Sequence, residues 1–161
     1  MFLSADGQIE SSTNAGHPPR YETVLPRENY ESTSPVELRM FGPTKKARLG
    51  DIALARSGDK GSNINIGLFV REEGAWPWFR SFLTTGRMKQ LMAKDWSDKF
   101  FIERVEFPHI WAVHFVIYGC LGRGVSSSSR LDSLGKGFAD FLRDRVVDVP
   151  QVLMHNCRSG P

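Results

Sequence analysis

From Asn63 to Val70 apolar and polar positions alternate, with Ile64, Ile66, Leu68 and Val70 on one parity and Asn63, Asn65, Gly67 and Phe69 on the other. A period of two predicts a strand whose aliphatic face enters the core and whose amide face does not. Leu49 to Ala55 reads as a shorter strand before it. Between them, Arg56 to Gly67 runs Arg-Ser-Gly-Asp-Lys-Gly-Ser-Asn-Ile-Asn-Ile-Gly, a glycine-rich loop joining two antiparallel strands.

Downstream the period changes. Pro77 suits the first position of a helix whose stripe is Trp78, Phe79, Phe82 and Leu83, and Thr84 or Thr85 caps a second helical piece carrying Met88, Leu91 and Met92. Lys99 to Phe107 reads as a strand of open phase, since Phe100 and Ile102 compete with Phe101, Val105 and Phe107 for the core side. Trp111 to Tyr118 is apolar on both faces, as a central strand would be. After a Gly- and Ser-rich approach, Leu131, Leu134, Phe138, Phe141, Leu142 and Val146 recur at helical spacing, with Pro150 beyond as the stop.

The order strand, strand, helix pair, strand, strand, helix predicts an α+β sandwich: about four mostly antiparallel strands with helices packed on one face. Residues 1–46 hold five prolines and no sustained period, so they read as a flexible or extended segment, within which Val36 to Phe41 is apolar enough to lie along a surface. The domain then occupies 47–150, and 151–161 is a tail.

Composition narrows the function classes. The 161 residues suffice for one domain, and 21 basic against 18 acidic residues give a formal charge of +3 without a Lys/Arg stripe, which argues against nucleic acid as a partner. No apolar run is long enough to span a membrane, and Met1 to Glu10 has no signal-peptide pattern, so a cytoplasmic location is expected. Cys120 and Cys157 form neither a disulfide framework nor a zinc spacing, and His17, His109, His114 and His155 make no visible metal set. No metal or cofactor is therefore expected.

Two places carry candidate chemistry. The loop lacks the Walker A spacing, yet it offers Arg56 and Lys60 as cations, Asp59 as acid or base, Ser57 as a hydroxyl and glycine amides for an anion. Asn63 and Asn65 stand beside Gly67, whose missing side chain lets a ligand or another backbone approach. Each also has a plain alternative: Asp59 paired with Lys60 or Arg56 to stiffen a hairpin, and the amides turned onto loop carbonyls. The second place is the approach to the last helix, where Asp132 and Lys136 read either as a cap and surface pair or as an anion site. His114 reads as a core histidine or as a base titrating near neutrality.

Ile52-Ala-Leu-Ala-Arg56-Ser-Gly-Asp-Lys-Gly61, followed by Asn63-Ile-Asn-Ile-Gly67, resembles the signature of the AtuA-like family, named for acyclic terpene utilisation. The likeness continues through Trp76 to Leu83, His114-Phe115, Gly119-Cys-Leu-Gly-Arg-Gly-Val125 and Arg130-Leu-Asp-Ser-Leu-Gly-Lys-Gly137, covering about Leu49 to Pro150. It implies the family's small C-terminal ferredoxin-like domain, standing without the large N-terminal domain of full-length members. It also implies a setting in the breakdown of terpenoid and branched acyl compounds.

Two functions follow as expectations. One is a cofactor-independent acid–base enzyme, a lyase, hydratase or isomerase, acting on an apolar metabolite with a carboxylate, carbonyl or thioester. In it Asp59, His114 and Lys60 are catalytic, while Arg56, Ser57, Asn63, Asn65, Asp132 and Lys136 bind substrate. The other is a non-catalytic small subunit that docks onto an AtuA-like large subunit or an acyl-CoA enzyme. Self-association through a sheet edge is a further expected contact.

Overall fold

The computed structural model describes residues 30–129 and 132–154 and, of the first 29, Phe2, Leu3, Asp6, Ile9, Glu10, Ser11, Gly16, Arg20 and Glu22. The expectations for His17, Arg130, Leu131, His155 and Cys157 lie outside the described residues. In chain order the strands and α-helices are β1 (Phe2–Leu3), β2 (Ile9–Ser11), β3 (Thr44–Arg48), β4 (Ala53–Lys60), β5 (Asn63–Val70), α1 (Trp76–Phe82) and α2 (Thr85–Met92). They continue with β6 (Phe101–Phe107), β7 (Ala112–Tyr118), α3 (Phe138–Arg143), β8 (Val146–Pro150) and α4 (Gln151–Met154). No described helix is long and apolar enough to cross a membrane.

The main sheet has the order β4-β5-β7-β6 and is antiparallel throughout. Its two hairpins, β4–β5 and β6–β7, join through β5 and β7, so the doubly apolar strand is indeed internal. Ile64, Ile66, Leu68 and Val70 of β5 and Val113, Phe115 and Ile117 of β7 are buried in one core with Trp78, Phe79 and Phe82 of α1, Met88 and Leu91 of α2, and Phe138 and Leu142 of α3. The helices thus cover one face, and the chain is an α+β sandwich. Thr84 caps α2 by accepting the Arg87 amide at 3.0 Å, and Pro77 lies in the first turn of α1.

Arg56 to Lys60, read as loop, continue β4, and Leu134, read in the last helix, lies before α3; two further stretches also depart from the sequence reading. The last helix, expected to reach Val146, ends at Arg143, and Val146 to Pro150 form β8, paired antiparallel with β3. Three β-branched valines in five residues favour the strand, and Val147 and Val149 alternate inward as a strand requires. Thr44 to Lys46, expected within the flexible segment, form most of β3, while Leu38 and Phe41 pack against the core.

The phase of β6 is decided by a buried charge. Ile102 and Arg104 point inward, and Arg104 is completely buried. Its guanidinium donates to the carbonyls of Leu83 (2.7 Å), Tyr30 (2.8 Å) and Arg80 (2.8 Å) and to Glu106 Oε1 (2.8 Å), while Glu106 Oε2 receives Arg80 at 2.6 Å. A charge removed from water is tolerable only with such a full set of partners. This set ties β6 to α1 and to residue 30, whose own amide donates back to Arg104 O at 3.2 Å. Glu31 next to it accepts the Thr85 amide at 2.8 Å and the Thr85 hydroxyl.

Replacing Arg104 by alanine leaves Glu106 and three carbonyls without that donor, so Arg104→Ala should lower stability by about 3–5 kcal/mol in urea unfolding. A loss under about 1 kcal/mol would mean that the network is not a structural anchor.

Candidate functional site

β4 and β5 are joined by a two-residue turn, Gly61-Ser62, with Lys60 opposite Asn63. Gly61 has φ +63° and Ser62 has no positive φ, the pattern of a type II′ hairpin turn, which places glycine first. The register that follows places Gly58 opposite Asn65 and Arg56 opposite Gly67. On the other side of β5, Asn65 faces Val116 and Gly67 faces His114, and β6 adds Glu103 opposite Val116 and Val105 opposite His114. One row on the sheet therefore reads Arg56, Gly67, His114, Val105, and the next reads Gly58, Asn65, Val116, Glu103.

These rows lie on the face away from the helices. They are bordered by Phe69 and Phe107 on one side and by Phe101 and Tyr118 on the other, all four exposed. Phe107 meets His114 edge to face at 6.4 Å, and Tyr118 Oη donates to Glu103 Oε2 at 2.6 Å. A Cβ at Gly67 would meet His114 Cδ2 at 3.7 Å, an ordinary contact, so glycine there leaves room for an incoming group rather than relieving a clash. Asn65 Oδ1 is buried and has no hydrogen-bond partner among the described residues. A buried amide oxygen left in that state costs about 1–3 kcal/mol, and turning the amide lets it offer either oxygen or NH₂ to a partner. Burial holds the His114 imidazole below its ordinary pKa, while the Glu103 carboxylate pulls it the other way.

The other loop residues serve the fold. Ser57 faces the helix side, where its hydroxyl donates to Gly135 O at 2.6 Å, with Lys136 O 3.2 Å away, and accepts the Ala139 amide at 2.9 Å. A residue of β4 thus supplies the acceptor that caps α3. Asp132 Oδ1 accepts the Lys136 amide at 3.0 Å, and Gly135, with φ +60°, is pressed against Ile64 so closely that a Cβ would lie 2.9 Å from Cγ1. Asn63 Oδ1 accepts the Gly119 amide (2.9 Å) and the Ser62 hydroxyl (3.1 Å), and Leu121 N donates to Ser62 O at 2.9 Å, so the 119–124 loop is fastened to the hairpin turn.

With the geometry in place, comparison with known proteins gives one finding: the AtuA ferredoxin-like domain matches residues 47–148. The chain belongs to the AtuA ferredoxin-like domain family. No curated protein and no solved structure matches it. As a ferredoxin-like AtuA domain it carries its signature on both faces of one sheet. Arg56, Asn65 and His114 share the open face, whereas Ser57 and Asp59 lie on the helix side, because neighbouring strand residues point opposite ways. Asp59 and His114 are therefore separated by the sheet. Lys60 is exposed at the hairpin end, its Nζ 3.3 Å from Asp59 O, and Asp132 and Lys136 lie at the approach to α3.

Glu103, Tyr118, Phe101 and Phe107 complete the open face of the AtuA domain and were not among the sequence candidates. The signal for Phe101, Glu103 and Phe107 was the parity of β6, which Arg104 concealed by occupying a core position, and for Tyr118 it was the parity it shares with His114 on β7.

Two outcomes separate the structural residues from those presented outward. Ser57→Ala should destabilise by about 1–3 kcal/mol, because it uncaps α3, while Arg56→Ala should change stability by less than about 0.5 kcal/mol. Equal losses would contradict the division. An NMR titration should give His114 a midpoint below 6.5. Since the folded value is depressed, stability contributed by the neutral ring is present above pH 6.5 and falls as pH drops through the folded midpoint, and His114→Gln should remove that slope.

Proposed function

We propose that the open sheet face is a docking surface for a large AtuA-like domain, and that Arg56, Asn65 and His114 become part of a site shared across that junction. The carrying observation is the buried, unpartnered Asn65 amide oxygen at the centre of a face where Phe101 is 55% and Phe107 46% exposed. Aromatic residues and arginine are enriched at interface centres. Covering this face would remove bulk water from the polar row and strengthen every electrostatic interaction within it. The family resemblance names the cover: full-length members place a large domain beside the small one.

A second reading, proton transfer by this chain alone, is favoured by the row that sets Arg56 opposite Gly67 and Gly67 opposite His114, where burial lowers the imidazole's pKa and keeps the ring neutral at pH 7. Arg56 would then hold the carboxylate, carbonyl or thioester end of an apolar substrate, and Asn65 would donate to a developing oxyanion. Lyase, hydratase or isomerase chemistry all fit that set.

Co-expression with a large AtuA-like domain, followed by light scattering, tests docking. A one-to-one complex is expected, weakened at least about tenfold by Phe101→Glu or Phe107→Glu and unaffected by Lys136→Glu on the helix side. A complex indifferent to both phenylalanine variants, or no complex, would count against docking. If the chain acts alone, His114→Gln should abolish turnover of an apolar acyl substrate by the isolated protein.

A further inference from the structure

On the other side of the sheet, between α3, the end of α2 and the 119–124 loop, lies a cavity of about 400 Å³. Ile64, Met92, Leu121, Phe138 and Phe141 make its walls apolar, and the Cys120 thiol, donating to Ile117 O at 3.1 Å, lines it as well. Among the described residues its charged lining is of one sign. Asp95 and Asp132 contribute carboxylates, both on exposed residues and so at the rim, and no cationic side chain lines it among the described residues. Asp132 Oδ1 is engaged by the Lys136 amide at 3.0 Å, whereas Asp95 has no ion-pair partner among the described residues.

A concave apolar space of this size with a few polar groups at its edge has the form of a small-molecule site. Two carboxylates at the mouth repel an anionic head group and attract a cationic one. We propose that this cavity binds a small amphipathic cation, an apolar or aromatic tail bearing an ammonium group, with the tail against Met92, Phe138 and Phe141 and the ammonium at the rim beside Asp95 and Asp132. The site lies behind the sheet from the docking face, so it stands independently of that reading. Its chemistry also separates it from any carboxylate-bearing substrate, which would meet like charge here.

The test uses the full ¹⁵N-labelled chain and three probes of equal length, 4-phenylbutylamine, 4-phenylbutanol and 4-phenylbutanoate, followed through the amides of Leu121 and Phe138. The amine is expected to shift both amides and to bind about tenfold more tightly than the carboxylate, with the alcohol between them. Asp95 is exposed, so Asp95→Asn keeps the fold and should cut the preference for amine over carboxylate at least about threefold. The proposal is overturned if none of the probes shifts these amides at millimolar concentration, if the carboxylate binds as tightly as the amine, or if Asp95→Asn leaves the preference unchanged.

Discussion

Side chains of a β-strand alternate between two faces, and along β5 this separates Ile64, Ile66, Leu68 and Val70, which form the floor of the core, from Asn63, Asn65, Gly67 and Phe69. The tight Gly61-Ser62 turn carries the alternation into β4 without a slip, so Arg56 and Gly58 share the amide face while Ser57 and Asp59 share the core face. A shift of one residue would reverse every one of these placements. The division of a single polar motif into an inward half and an outward half follows from that register.

The inward half is consumed by the fold. Ser57 caps α3 and Gly135 lies against Ile64, while at the hairpin end Ser62 and Asn63, the latter on the outward parity, fasten the 119–124 loop, so the two glycine-rich segments of the sequence are partners in one construction. The outward half has an unpaired amide oxygen, an exposed guanidinium and a half-buried imidazole within an aromatic border. Buried polar groups in native proteins have partners, and the proposed docking would give Asn65 Oδ1 the one it lacks among the described residues.

Much of the fold was legible in the sequence. The strict alternation of β5, the apolar run of β7 and the stripes of α1 and α2 each have one dominant period, and the structure follows them. β8 was hidden because Val146 continues the helical spacing of Phe138 and Leu142 by coincidence, while its β-branched neighbours and long-range pairing with β3 decide for a strand. The phase of β6 was hidden because its central inward residue is Arg104, and no hydrophobicity pattern anticipates a buried guanidinium satisfied by Leu83, Tyr30, Arg80 and Glu106. For the site, the strand parity of Asn65 and His114 was readable, but treating Arg56 to Gly61 as a loop concealed that Asp59 and Arg56 face opposite ways.

The most direct measurement is photochemical carbene labelling of exposed side chains, made on the chain alone and after addition of a large AtuA-like domain. In the free chain Phe69, Phe101, Phe107 and Tyr118 should label readily and Trp78 and Phe79 hardly at all, reproducing the two faces. With the large domain present, the first four should become protected together while labelling at the helix-side rim of Leu134 stays unchanged. Protection confined to the helix side, with the four open-face aromatics still labelled, would contradict the assignment of this face to recognition.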